Sequence, residues 1–210
     1  TFDKNSLNNA RVPLWLCYMT NNDVIMFIHR KQHNILNDKT HFCSFIATGP
    51  GLTNNRKDFV DKLSKYKKVD CGGSYLNNIG VNVPIGINCS GKVEHNRKYK
   101  FAMAFESKSY PGYVTEKICD IFKSNTVPIY WGTKDVVKDF NPRTFINAND
   151  FSNFDELVEY IKKVDNDDEL YMSYFKEPVL SNMWKDILTD PNKVFFKNLA
   201  DKIIGNKDRK

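Results

Sequence analysis

Residues 106–117 carry the side chains that most directly suggest chemistry. The segment follows an apolar run and precedes residues with helical periodicity, so it is expected to lead from a buried strand into a helix. The first N–H groups of a helix are unpaired, and its dipole favours an anion. Lys117 can place a charge on a phosphate, and Glu116 can bind sugar hydroxyls or stabilise positive charge. The competing interpretation is structural, because Thr115 and a first-turn glutamate are ordinary capping residues.

A second loop, residues 48–51, contains two glycines and a proline and precedes Arg56. Small residues let a ligand approach the backbone closely. An arginine at the start of a helix can clamp a diphosphate with two parallel donors. An arginine in this position is also often only a solvated charge, so this loop alone does not decide between the two.

The surrounding elements are expected to place both loops at one edge of a sheet. Predicted strands alternate with predicted helices, which implies parallel strands and a three-layer α/β domain with a mostly parallel sheet. Ligands bind such sheets at the carboxyl ends of the strands. The predicted strands are 41–47, 69–71, 99–105, 127–131 and 145–147, and the predicted helices are 56 onward, 114–124, 135–139, 154–164, 168–175 and 191–204.

Two further regions are less regular. Residues 12–16 and 24–28 are apolar and are expected to be extended or buried segments. Residues 76–96 are rich in asparagine and glycine and are predicted to form a long loop, which in a compact domain is usually functional or partly mobile.

Several stretches resemble, in order and spacing, the signature of the α-1,3/α-1,4-fucosyltransferase family. The resemblance runs from about residue 12 to residue 175. The main stretches are 99–107 (YKFAMAFES), 113–117 (YVTEK) and 125–132 (NTVPIYWG), supported by 42–45 (FCSF), Arg56, 69–73 (VDCGG), 139–142 (DFNP) and 171–175 (YMSYF).

The resemblance implies an inverting transfer of L-fucose from GDP-fucose to a GlcNAc or glucose hydroxyl of a glycan, with no cofactor and no essential metal. It also implies that the chain is the C-terminal half of a GT-B glycosyltransferase, in which two Rossmann-like domains face a cleft. Residues 1–40 would then be the end of the acceptor-side domain or a linker, 41–176 the GDP-fucose-binding domain and 177–210 C-terminal helices.

The same resemblance implies roles for individual residues. Arg56 and Lys117 would hold the diphosphate, and Glu116 would contact fucose and balance the charge of an oxocarbenium-like transition state. These three are the expected catalytic residues. The expected donor-binding set is Ala47, Thr48, Gly49, Pro50, Arg56, Glu106, Ser107, Tyr113, Val114, Thr115, Glu116 and Lys117.

Two departures from the family pattern affect this interpretation. Ser107 stands where the family usually has asparagine, and serine reaches less far. The family's catalytic base is a glutamate of the acceptor domain, whereas residues 1–40 contain no glutamate. An inverting transfer needs a base to take the acceptor proton. The base is therefore expected from an N-terminal acceptor domain outside this sequence or from another chain. The alternative function is a nucleotide-sugar-binding module without full catalytic activity.

Composition excludes several other classes. The 210 residues carry a net charge of +6, and the basic residues are too dispersed for a nucleic-acid interface. No apolar run approaches the length of a membrane span, and the first residues lack the apolar core of a signal peptide. Because the chain begins with threonine, we expect it to be a processed or excised piece of a longer protein.

The sequence gives only weak support for a metal site or a redox site. The five cysteines include no CxxC pair and are expected to be buried free thiols, which favours a cytoplasmic location, or the Golgi lumen for an anchored eukaryotic enzyme. His29 and His33 lack a third ligand. A metal-dependent glycosyltransferase remains as an alternative, with Asp165 and Asp167 as the carboxylate pair.

Overall fold

The computed structural model describes residues 11–30, 35–84 and 90–189. The predicted helix over residues 191–204, His33 and Cys89 lie outside these ranges. Within them, no helix is both long enough and apolar enough to cross a membrane.

Five strands form one parallel sheet in the order β2-β1-β3-β4-β5. The α/β class, the parallel sheet and the order of its elements are therefore confirmed. The strands are β1 (His41–Phe45), β2 (Val69–Cys71), β3 (Tyr99–Phe105), β4 (Val127–Trp131) and β5 (Ile146–Asn147). Because β1 pairs with β2 on one side and β3 on the other, the chain reverses its direction of travel across the sheet between β1 and β3.

Helices cover both faces of this sheet. They are α1 (Asn21–Ile28), α2 (Asn55–Ser64), α3 (Ser90–Asn96), α4 (Glu116–Lys123), α5 (Val136–Asp139), α6 (Phe154–Asp165), α7 (Asp168–Ser173) and α8 (Asn182–Thr189). Residues 24–28 were predicted to be extended or buried. They are helical, because Thr20 and Asp23 form a capping box that starts α1, and Phe27 and Ile28 are buried. The loop prediction for residues 76–96 was wrong at its end, where α3 begins at Ser90. Helix α8 lies within residues 177–210, where C-terminal helices were predicted without bounds for this one.

The alternating side chains of β3 define two cores. Phe101, Met103 and Phe105 face the core covered by α2, α6 and α7. Ala102 and Ala104 face the opposite core, which includes α1, α4 and α8. Alternation along a strand sends successive side chains to opposite faces. The small residues on the second face leave room beside α4.

The N-terminal segment packs on this same domain. Trp15 and Leu16 are buried in the second core, and the backbone N–H of Trp15 donates to the Val114 carbonyl at 3.1 Å. The predicted domain boundaries at residues 40 and 176 stay predictions. The contacts show only that residues 14–28 help to cover the sheet.

Three of the described cysteines, Cys43, Cys71 and Cys119, are buried as free thiols. Burial raises the pKa of all three, and that of Cys71 to about 11. Cys17 is a partly exposed free thiol. The predicted cytoplasmic location stays a prediction.

Asp165 and Asp167 have structural roles. The Asp165 carboxylate accepts from Lys67 at 2.5 Å and from Lys100 at 3.1 Å, and Asp167 caps α7 through the Leu170 N–H. Lys100 lies near the amino end of β3, at the edge opposite the carboxyl-end loops. No group of three acidic, histidine or cysteine side chains in the described ranges is placed to hold a metal. The structure therefore gives both aspartates structural partners, and the metal-dependent alternative stays a prediction.

Asp165→Asn is expected to lower the free energy of unfolding at pH 7 by about 1–2 kcal/mol. Burial alone would raise the pKa of Asp165, but the two lysines outweigh it and the pKa lies below its usual value. The stabilisation is therefore present above the usual pKa of about 4 and is lost as the pH falls through the lowered pKa. Urea unfolding from pH 7 to pH 3 should show the wild-type advantage shrinking. Asp155→Asn, an exposed carboxylate on α6, is the control, and an advantage independent of pH would contradict the linkage.

Candidate functional site

A cavity of about 260 Å³ opens at the carboxyl ends of β1 and β3. Parallel α/β sheets bind ligands where the strand order reverses, and β1 and β3 flank that point here. Helices α3 and α4 form its side walls. It is lined by Ser44, Phe45, Ile46, Ala47, Thr48, Arg56, Lys92, Asn96, Ala102, Met103, Phe105, Ser107, Glu116, Lys117, Asp120 and Ile121.

The amino end of α4 is fixed by a buried carboxylate. Glu106, directly after β3, accepts from the Thr115 N–H at 2.8 Å and from the Thr115 hydroxyl at 2.9 Å. Thr115 is the N-cap, and its oxygen accepts from the Lys117 N–H. Glu106 therefore ties the end of the strand to the first turn of the helix, and the side chains of that turn take up fixed positions.

Lys117 presents its ammonium group beside this carboxylate. Its Nζ lies 3.1 Å from Glu106 Oε2 and 3.8 Å from Glu116 Oε1, and the side chain is 30% exposed. Burial alone would lower the pKa of Lys117, but both glutamates raise it above its usual value. Burial raises the pKa of Glu106, against the opposing effects of Lys117 and Thr115. A charged ammonium group therefore stands at the amino end of α4, in the cavity wall.

Arg56 carries the second cation of the cavity and is only 6% exposed. Its Nη1 donates to the Gly49 carbonyl at 2.7 Å, and its Nη2 donates to the Phe105 carbonyl at 2.8 Å. Burial lowers the pKa of Arg56, but a guanidinium still stays protonated. Nε has no hydrogen-bond partner, and no carboxylate of the described residues lies within 4 Å of the guanidinium. A buried cation is costly unless negative charge lies near it; Glu106 supplies part of that charge, and a bound anion would add to it.

Close backbone packing holds the loop after β1. A side chain at Gly73 would place its Cβ 2.1 Å from the Ala47 carbonyl oxygen. The Tyr75 N–H donates to that same oxygen at 3.0 Å. The glycines after β2 therefore let the Ala47 loop sit against the chain and contribute to the cavity.

The loop between β3 and α4 is held at Gly112, which has a positive φ of 73°. Arg11 donates to the Gly112 carbonyl at 3.0 Å and pairs with both oxygens of Asp139 at 2.6 Å. The Gly112 N–H donates to Asp135. Both polar groups of Gly112 are thus bound, which fixes the middle of the loop.

The chain was then compared with known proteins. The sequence model of glycosyltransferase family 10 (fucosyltransferase) C-term matches residues 36–189. The chain belongs to glycosyltransferase family 10. An alpha-(1,3)-fucosyltransferase of Helicobacter pylori is 40% identical over 166 residues, which are 79% of this chain and 32% of that protein. Glycoprotein 3-alpha-L-fucosyltransferase A of Drosophila melanogaster is 32% identical over 142 residues, 66% of this chain and 28% of that protein.

Solved structures of alpha1,3-fucosyltransferases share the fold. A crystal structure of an alpha1,3-fucosyltransferase with GDP-fucose matches with a TM-score of 0.71 and 30% identity, over 96% of this chain and 69% of the other. One with GDP matches with a TM-score of 0.70 and 32% identity, over 86% of this chain and 61% of the other. The chain spans about a third of the length of the curated relatives named above.

Half of the predicted donor-binding residues of this family 10 chain line the cavity, namely Ala47, Thr48, Arg56, Ser107, Glu116 and Lys117. The other half do not. Gly49, Glu106 and Thr115 hold lining residues in place. The Gly49 carbonyl accepts from Arg56, and Glu106 accepts from Thr115 at the start of α4. Val114 is fully buried in the second core, and Pro50 and Tyr113 lie outside the lining. The individual roles of all these residues stay predictions.

Four polar lining residues of the family 10 chain were not predicted: Ser44, Lys92, Asn96 and Asp120. Lys92 and Asn96 belong to α3, which lies in a segment that was predicted to be a loop. Asp120 lies inside α4 and carries no motif. The available signal was its spacing, because Asp120 follows Glu116 by four residues and such residues share a helix face.

Proposed function

We propose that this chain is the donor-binding part of a fucosyltransferase that moves L-fucose from GDP-fucose to a glycan. One observation carries the proposal. Arg56 and Lys117 place two cations in the wall of one cavity, and Arg56 forms no ion pair within 4 Å among the described residues, although Glu106 acts on it electrostatically. A diphosphate can accept hydrogen bonds from both cations. The GDP-fucose complex of the related fucosyltransferase supports the choice of donor.

The proposed chemistry follows from where charge develops. Departure of the diphosphate places negative charge on its bridging and terminal oxygens, and fixed donors at that position lower the barrier. Lys117, Arg56 and the positive end of the α4 dipole can stabilise this leaving group, so the transfer is proposed to need no essential metal. Glu116, in the same first turn and 25% exposed, is placed to meet the sugar and its positive charge.

The acceptor side is proposed to come from outside this chain. Residues 1–40 contain no glutamate to act as the base. The proposed base and acceptor contacts therefore belong to an N-terminal domain, and the acceptor is a GlcNAc or glucose hydroxyl in α-1,3 or α-1,4 linkage. The names of the related enzymes support the α-1,3 alternative.

The first test is calorimetric titration of the chain with GDP-fucose, GDP and UDP in the presence of EDTA. We expect GDP and GDP-fucose to bind and UDP to bind more weakly. Ligand at 100 times its Kd should add about 2.7 kcal/mol to the free energy of unfolding. Donor binding without transfer to any acceptor would favour the binding-module alternative. A folded chain that binds neither GDP nor GDP-fucose would contradict the proposal.

Glu116→Ala is expected to reduce GDP-fucose affinity about tenfold and GDP affinity by less than threefold, because the carboxylate is proposed to contact fucose. The ratio of the two dissociation constants is the measurement. Glu169→Ala removes an exposed first-turn glutamate of α7 and is the matched control. Equal losses of affinity for GDP and for GDP-fucose would contradict the proposed contact between Glu116 and fucose.

A further inference from the structure

An ion pair forms part of the cavity wall beyond the proposed phosphate site. Lys92 of α3 and Asp120 of α4 lie 2.5 Å apart, Nζ to Oδ2, and their side chains are 12% and 14% exposed. Both line the cavity. The pair therefore presents a carboxylate and an ammonium group side by side in the cavity wall.

The position of the pair suits the base of a nucleotide. Asp120 lies one helical turn beyond Glu116, and residues four apart are about 5–6 Å apart at Cβ. A nucleoside diphosphate with its phosphates at the amino end of α4 can extend its base along the same helix face. Asp120 and Lys92 both line the cavity into which such a base would extend.

We propose that Asp120 and Lys92 recognise the base of the bound nucleotide and select guanine, an inference that rests on the proposed function. Guanine has two adjacent donors, N1–H and the 2-amino group, beside the O6 acceptor. A carboxylate accepts from both donors, and a lysine donates to O6. Uracil has one N–H between two carbonyl oxygens, and a carboxylate repels both of them. The pair therefore favours guanine over uracil.

The alternative is that the pair only joins α3 to α4. The chain contains a matched pair of that kind, Asp23 of α1 with Lys123 of α4, at 2.9 Å and with side chains 17% and 14% exposed. That pair does not line the cavity. Asp23→Asn is therefore a control for loss of a half-buried ion pair on the same helix.

The test compares GDP with inosine diphosphate, which lacks only the 2-amino group. The wild-type chain is expected to bind GDP about tenfold more tightly, the effect of one hydrogen bond to a charged group. Asp120→Asn should bring this ratio close to one, and Asp23→Asn should leave it unchanged. The ratio is measured on one variant at a time, so a partly unfolded fraction affects both ligands equally.

The outcomes separate the two proposals. An unchanged ratio in Asp120→Asn, with GDP still bound, would overturn base recognition and leave the proposed function standing. A wild-type chain that is folded and binds neither ligand would overturn both. If Asp120→Asn does not fold, the double variant Lys92→Met with Asp120→Asn removes the pair without leaving a buried charge, and its GDP-to-inosine-diphosphate ratio is interpreted in the same way.

Discussion

Replacing Glu106 with alanine is expected to lower the free energy of unfolding by about 3–5 kcal/mol, because a fully buried carboxylate with three bonded partners is lost. The side chain of Glu106 is 0% exposed. Its removal leaves the Thr115 N–H and hydroxyl without their acceptor and places the Lys117 ammonium beside an apolar gap. Urea unfolding at pH 7 measures the change.

Two variants show whether this loss comes from the buried charge. Glu106→Gln keeps the shape and one acceptor oxygen, so it should cost less than Glu106→Ala. Glu116→Ala removes a more exposed carboxylate from the same site and should change stability by less than about 1 kcal/mol. A Glu106→Ala chain as stable as the wild type would show that the carboxylate does not hold α4 in place.

Replacing Arg56 with alanine is expected to weaken GDP binding by about 2–4 kcal/mol, or roughly 30- to 1,000-fold. The substitution removes the buried cation and releases the carbonyls of Gly49, in the loop after β1, and of Phe105, in the cavity wall. Affinity and cavity shape are therefore lost together. Titration calorimetry on protein shown by circular dichroism to be folded gives the value.

Neighbouring substitutions separate charge from geometry. Lys57→Ala removes a positive charge from the next position of α2, where the side chain is 57% exposed, and should leave GDP affinity within twofold. Arg56→Lys keeps the charge but loses the planar pair of donors, so only part of the affinity should return. If the Arg56→Ala and Lys57→Ala variants bind GDP with equal affinity, Arg56 does not contribute to the phosphate site.

The sheet was predictable because its strands carry local signals. β3 and β4 are apolar runs bounded by polar residues, and both predicted strands match the observed bounds. The loops that enter α2 and α4 follow from the helix periodicity behind them. Once the strands are parallel, the carboxyl-end rule places those loops together. Arg56 and Lys117 could therefore be assigned to one cavity without coordinates.

Other features depend on contacts between distant residues, which a sequence does not display. Helix α3 begins at Ser90 in a segment whose asparagine and glycine content favours a loop, and it packs against α4. Glu106 was predicted to bind the donor, whereas its carboxylate is occupied by Thr115 and Lys117. Packing between residues far apart in the sequence decides whether α3 forms and which groups bind Glu106, and composition does not specify that packing.

The reactivity of the buried cysteines reports when the two cores of this chain open. A thiol reacts with alkylating agents as the thiolate, and burial both hides Cys43, Cys71 and Cys119 and raises their pKa. Modification of these three therefore waits for the core to open, whereas partly exposed Cys17 is available in the folded chain. Cys43 and Cys71 lie in one core and Cys119 lies in the other. Alkylation rates measured at each cysteine therefore give the opening rate of each core separately.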